Sequence, residues 1–179
     1  MRPIIDGHEY VDLGLPSGLK WATCNVGANS PEEYGDYFAW GETKAKDRYC
    51  MDNRTTMNAP IGRIVGNSEY DAARAKWGGR WRMPTKEEFE ELVNNSDYQW
   101  TGDGAEFTSR INGAKIYLPA AGWRYGADSL YQGSSGYYWS ASSANDMKRA
   151  GGLYFCGSGS NVLNGYDRDY GRSIRPVAK

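Results

Sequence analysis

The sequence predicts an α+β domain, and three observations carry that expectation. Two stretches before residue 95 place apolar residues at helical spacing, whereas after residue 100 the apolar residues fall in short strand-like runs bounded by glycine. The composition is loop-rich and aromatic, with 23 Gly, 14 Tyr and 7 Trp in 179 residues. Helices first and strands after is an α+β order, and long loops pinned by aromatic anchors suit such a composition. With 40% hydrophobic and 24% charged residues, the chain reads as one globular domain, residues 1–179, able to bury a core.

Residues 4–28 read as two extended pieces around a turn. Tyr10 to Leu15 alternates weakly, Pro16-Ser17-Gly18 turns, and Leu19 to Cys24 alternates again. Pro31 to Tyr37 suggests a short helical turn or loop leading to Phe38-Ala39-Trp40-Gly41. Residues 43–67 are polar and aperiodic, a loop. Ser68 then serves as an N-cap for a helix over 69–77, in which Tyr70, Ala73 and Trp77 share a face and Gly78-Gly79 stops the run. The clearest element is 85–93: Thr85 and Glu88 form a capping box, Phe89, Leu92 and Val93 make an apolar stripe, and Glu87, Glu88, Glu90 and Glu91 read as a solvated face. Strand runs follow at 107–109, 114–122, 137–142, 153–155 and 172–177. No tandem repeat stands out.

Several function classes are disfavoured at this level. A net charge of −1 implies neither nucleic acid nor an anionic membrane as partner. Cys24, Cys50 and Cys156 lack CxxC spacing and leave at least one thiol free; with His8 the single histidine, no metal-ligand pattern or cofactor is expected. No secretory h-region follows Met1 and no apolar run reaches membrane-spanning length, so the chain as given is expected to be soluble, without membrane insertion.

The most informative stretch is 149–178, RAGGLYFCGSGSNVLNGYDRDYGRSIRPVA. It holds no Lys, Met, Glu, Gln or Trp, where average composition would place roughly six. Gly, Ser, Asn, Asp, Tyr and Arg take their place. Tyr gives contact area at low entropy cost, and Ser, Gly and Asn adapt their hydrogen bonds, which is the chemistry of a binding surface.

A family resemblance rests on ordered motifs from about residue 7 to 177. GHEYVDLGLPSG (7–18), WATCNVGA (21–28), YGDYFAWGET (34–43), WRMPT (81–85), LPAAG (118–122), GYYWS (136–140) and SIRPV (173–177) resemble the Fibrobacter succinogenes major paralogous domain, common in Bacteroides. The resemblance implies a C-type-lectin-like fold with two helices, short antiparallel strands and long loops. It further implies similarity to the variable proteins of diversity-generating retroelements of bacteria and phages, in which a fixed scaffold carries a C-terminal segment rewritten at adenines. AAY codons rewritten in this way cannot encode Lys, Met, Glu, Gln or Trp, the residues missing from 149–178. On that pattern Tyr138, Trp139, Ser140, Leu153, Phe155, Gly171, Ser173, Ile174, Arg175, Pro176 and Val177 are framework. Tyr154, Cys156, Ser158, Ser160, Asn161, Asn164, Tyr166, Asp167, Asp169 and Tyr170 are the displayed, ligand-binding positions, within a variable segment of about 145–170. Met147-Lys148 departs from the AAY pattern. The implied partner is a macromolecular target, protein or glycan, on a cell surface, and the implied location is a virion tail or a bacterial surface.

Other readings carry less. No nucleophile-elbow motif appears, and His8 reads as structural or solvent-facing rather than as a general base. The three cysteines do not match the pair that a formylglycine-generating oxidase requires, so the chain is not expected to be an enzyme. Calcium-lectin ligand motifs are absent, and Asn164, Asp167 and Asp169 lack a bidentate Glu, so EDTA is expected to change neither folding nor binding; sugar binding through Tyr and Trp without calcium stays open, and a surface carbohydrate- or protein-binding domain that is not diversified is the alternative reading. A structural surface domain, with Gly157 to Ser160 as a flexible linker, leaves the interleaved Tyr, Asp and Asn unexplained. Tyr154, Tyr166 and Tyr170 are thus expected to anchor a target from loops and strand ends of about 145–170, with Tyr166 and Tyr170 replaceable by Ala at little cost in stability; alternation along Leu153-Tyr154-Phe155 puts Tyr154 opposite its neighbours, and since a sheet has two faces a core position for Tyr154 is the alternative.

Overall fold

The computed structural model describes residues 1–56, 64–144 and 146–179. Part of the expected 43–67 loop, and residue 145 at the start of the expected variable segment, lie outside the described residues.

The elements run β1 (Ile4–Ile5), β2 (His8–Asp12), β3 (Lys20–Ala22), α1 (Ala72–Trp77), α2 (Lys86–Asn94), β4 (Ser96–Trp100), β5 (Gly104–Ser109), β6 (Lys115–Pro119), β7 (Trp123–Tyr125), β8 (Asp128–Leu130), β9 (Ser135–Ser143), β10 (Arg149–Cys156), β11 (Gly159–Asp167) and β12 (Val177–Ala178). The strands form four sheets, ordered β1-β2-β3-β12, β11-β10-β9, β4-β5-β6 and β7-β8. All strand pairs within them are antiparallel. Among the described residues no helix is long and apolar enough to cross a membrane.

This architecture corrects the α+β expectation, and with it the two-helix C-type-lectin-like layout. The described chain is mostly β, with twelve strands and a single helix longer than two turns. The expected helix over 69–77 shrinks to the six residues of α1, because Asp71 and not Ser68 is its N-cap. Conversely, polar stretches without apolar alternation became strands. β4, β7, β8 and most of β11 were not legible, because one of their faces meets solvent or other rings rather than an aliphatic core.

α2 forms where the sequence places it. The Thr85 hydroxyl accepts from Glu88 N–H at 3.2 Å, and Glu88 accepts from Thr85 N–H at 3.0 Å. The acidic run is only partly a solvated face. Glu88 pairs with Arg82 at 2.6 and 2.9 Å, and Glu91 accepts from the Ser17 hydroxyl at 2.6 Å, so both tie the helix to neighbouring segments.

The main core gathers Trp21, Phe89, Leu92, Phe107, Leu118, Tyr138, Leu153 and Phe155. It places α2 and the β4-β5-β6 sheet on one face of β9-β10-β11. A second core, built on Val26, Phe38, Trp40, Met83, Trp139 and Ile174, lies alongside. Gly136 is required at its position: Phe155 lies cross-strand from it, and a Cβ there would sit 2.0 Å from the Phe155 ring.

Residues 171–178 close the fold. Gly171 bridges Arg124, Arg172 bridges Phe38, Ser173 bridges Tyr138 and Val177 bridges Arg82, before β12 pairs with β3. The strand expected over 172–177 is therefore regular only at its end, although it does lie beside an N-terminal strand. Arg175 is buried, and among the described residues no carboxylate pairs with it. Its guanidinium donates to Asn25 Oδ1 at 2.9 Å and to the carbonyls of Ala22 and Tyr117 at 3.2 and 2.9 Å.

Candidate binding face

The sheet β9-β10-β11 has one face on the core and one toward an aromatic cluster, and register assigns the residues. Leu153 pairs with Tyr138 and Val162 on the core face; Tyr154 pairs with Tyr137 and Asn161 on the other. Leu153 and Phe155 are fully buried, whereas Tyr154 is half-buried.

Rings link across that outer face. Tyr137 lies 5.0 Å from Tyr154, 6.0 Å from Tyr166 and 6.3 Å from Trp123, between centroids. Trp123 stacks on Tyr170 at 4.7 Å, and Tyr170 meets Tyr125 edge-on at 5.0 Å. Tyr131 stacks on Trp123 at 6.4 Å. Tyr125 and Tyr131 are 49% and 58% exposed, so the cluster opens to solvent at its β7-β8 end.

A cation sits beneath the rings. Arg172 is 4% exposed, and its guanidinium carbon lies 3.8, 4.8 and 5.0 Å from the ring centroids of Tyr166, Trp139 and Tyr137. Burial pushes it down to about 10, against the pull of the neighbouring tyrosines. Three cation–π contacts, each worth about 0.5–2 kcal/mol, offset part of that desolvation and fix the rings relative to one another. Burial raises Tyr166 in the opposite sense.

The predicted site residues separate into groups. Tyr154, Tyr166 and Tyr170 come together in the cluster, with Cys156 and Asn161 on the same face by register. Asp167 and Asp169 line a cavity with Tyr170. Ser158 lies in the two-residue turn Gly157-Ser158 of the β10-β11 hairpin, and Asn164 lies exposed beside the irregularity opposite Gly151. Ser160 pairs with Phe155 and faces the other side of the sheet, apart from the rings. The residues expected on loops are mostly on strands: Gly157 to Ser160 is a tight hairpin rather than a linker, because Cys156 pairs directly with Gly159.

Burial sorts framework from displayed positions with two qualifications. Tyr138, Trp139, Ser140, Leu153, Phe155 and the whole of 171–177 are buried. Ser158, Asn161, Asn164 and Asp167 are exposed, and Tyr154, Cys156, Ser160, Tyr166 and Tyr170 half-buried. Asp169, however, is only 7% exposed, and the Tyr166 hydroxyl is buried. The expectation that Tyr166 is freely replaceable is therefore corrected: its ring covers Arg172.

Sequence reasoning missed Trp123, Tyr125, Tyr131, Tyr137 and Arg172. Tyr137 was within reach, since alternation along Gly136-Tyr137-Tyr138 puts it opposite the core residue. The others depend on the long-range approach of β7-β8 and of the closing segment that holds Arg172, which no local period encodes.

The thiols of Cys24, Cys50 and Cys156 are all free. Cys156 Sγ lies 3.1 Å from Ser158 Oγ, and hydrogen bonding from Ser158, then Tyr154, brings the thiol down to about 7. His8 stacks on Trp77 at 3.7 Å, and burial lowers its basicity. Among the described residues no group of three His, Cys, Asp or Glu is arranged to hold a metal.

No curated protein and no solved structure matches the chain. A family described as Domain of unknown function (DUF8237) matches residues 85–177, from the N-cap of α2 to the first residue of β12. That is more than half of the chain and includes every strand of the aromatic face, so the protein belongs to the DUF8237 family.

Proposed function

We propose that this protein is a ligand-binding display protein, with the aromatic face as its recognition surface and a macromolecule of a cell surface as its target. The observation that carries the reading is the coexistence of clustered, partly exposed rings with a frame that is buried strand by strand beneath them. Clustered Tyr and Trp around an Arg have the composition of interface hot spots, and holding them on a sheet lowers the entropy lost on binding. The exposed positions Ser158, Asn161 and Asp167 rim this surface, where substitution costs little stability. With the resemblance to the major paralogous domain and the residues missing from 149–178, this supports a variable protein of a diversity-generating retroelement as the finer reading.

Two experiments test it. Deep sequencing of the 3′ coding segment from a natural population should find substitutions concentrated at adenines in the codons of the displayed positions, sparing Leu153 and Phe155; an invariant or evenly varying segment would remove the diversification reading. Labelled protein should bind intact cells of some strains in a bacterial panel. Replacing Tyr125 and Tyr131 together by Ala should reduce that binding at least tenfold, about 1.4 kcal/mol, without changing the melting temperature. Equal binding by the variant would remove the face as the surface.

A further inference from the structure

At the edge of the aromatic face, Arg54, Tyr125, Lys148, Asp167, Asp169 and Tyr170 border a cavity of about 200 Å³. Its walls carry two cations and two carboxylates. Arg54 and Asp169 are buried, at 9% and 7% exposure, while Lys148 and Asp167 are exposed at the mouth. Among the described residues no ion pair joins either cation to either carboxylate, and Arg54 Nε is buried without a hydrogen-bond partner. Buried charges are normally paired or hydrogen-bonded, because leaving water is otherwise costly. Arg54 and Asp169 line one cavity without pairing with each other, so a ligand seated there meets both charges.

The lining selects what could fill it. A simple anion would face two carboxylates and a simple cation would face two cations. A neutral group with one donor and one acceptor suits both walls at once. The volume falls below the ~300 Å³ at which small-molecule sites begin, so the cavity suits one unit of a polymer. Tyr125 and Tyr170 add ring faces, with centroids 5.0 Å apart and planes at 75°, against which a flat C–H surface can pack.

We propose that this cavity binds an N-acetylated amino sugar of a glycan, its acetamido N–H donating to Asp169, its carbonyl accepting from Arg54, and its ring lying against Tyr125 and Tyr170. An asparagine or glutamine side chain offers the same amide but no flat ring for the two tyrosines, so the glycan is the better fit. The proposal deepens the recognition reading and rests on it.

The test is calorimetry and saturation-transfer NMR on the whole chain with N,N′-diacetylchitobiose, cellobiose and an N-acetylglutaminamide peptide as probes. Diacetylchitobiose should bind at least tenfold more tightly than cellobiose. Arg54→Gln and Tyr125→Ala should each reduce that affinity at least tenfold while circular dichroism stays unchanged; Tyr125 is half-exposed, which keeps the test open should Arg54→Gln fail to fold. Equal binding of both disaccharides, preference for the glutamine peptide, or no saturation transfer to diacetylchitobiose would each overturn the proposal. If diacetylchitobiose fails while Tyr131→Ala, outside the cavity, still weakens cell binding, the cavity assignment falls and the recognition face stands.

Discussion

At the residue scale, the face depends on a few side chains that act through charge and contact. Tyr166 covers Arg172 at 3.8 Å. Replacing it by Ala removes a half-buried ring and leaves a buried cation with one fewer partner, so a loss of about 2–3 kcal/mol is expected. For a domain of this size that lowers the melting temperature by roughly 4–12 °C; an unchanged value would mean that the ring is dispensable. Cys156 yields a second prediction. With its thiol brought down to about 7, chiefly by Ser158, its alkylation by iodoacetamide should rise with pH through a midpoint near 7. Ser158→Ala should move that midpoint upward, toward the ~8.5 of a free cysteine. A midpoint already near 8.5 in the unchanged protein would contradict the hydrogen-bonded arrangement. Legibility varied at this scale: the alternation of Leu153-Tyr154-Phe155 set Tyr154 opposite its neighbours without assigning its face, and the burden on Tyr166 was not readable, because Arg172 reaches it only after the chain has folded back.

At the element scale, local chemistry was readable where capping decides the structure. Thr85 and Glu88 announce α2, and the helix starts there. α1 shows the opposite case. Its cap, Asp71, accepts from the backbone N–H groups of Gly66, Arg74 and Met83 at 2.7–3.1 Å, two of them remote from the helix start. Burial pushes its carboxyl up, and those N–H groups pull it back. Asp71→Ala should therefore cost more than a lost cap: about 2–4 kcal/mol, since several charge-assisted hydrogen bonds go at once. Chemical denaturation measures this, and a loss under about 1 kcal/mol would reduce Asp71 to an ordinary cap. β11 explains why the strand count was underread. Only Val162 and Tyr166 of its sequence pack inward against the cores, so no period-2 pattern marks it, and its pairing is inherited from β10.

At the scale of the whole molecule, residues 171–178 join the ends of the chain and the sheets. Gly171 lies against the Tyr49 ring, where a Cβ would come within 2.8 Å. Arg175 reaches Asn25, Ala22 and Tyr117, and Val177 and Ala178 pair with Trp21 and Lys20. A chain ending at Tyr170 should lose its cooperative unfolding transition; a sharp transition near the original temperature would show that the closing segment is accessory. The SIRPV motif pointed to this segment, but its partners in β3, β6 and β9 became visible only with the fold. The same organisation separates the displayed rim from the frame that supports it.

The central claim is that this rim can change while the frame cannot. A protease-resistance scan of every single substitution from 149 to 178 tests it directly. Changes at Ser158, Asn161, Asn164 and Asp167 should stay within about 0.5 kcal/mol of the starting protein, and truncations of Leu153, Phe155 or Ile174 to Ala should cost about 2–5 kcal/mol. Comparable losses in the two groups would contradict the account.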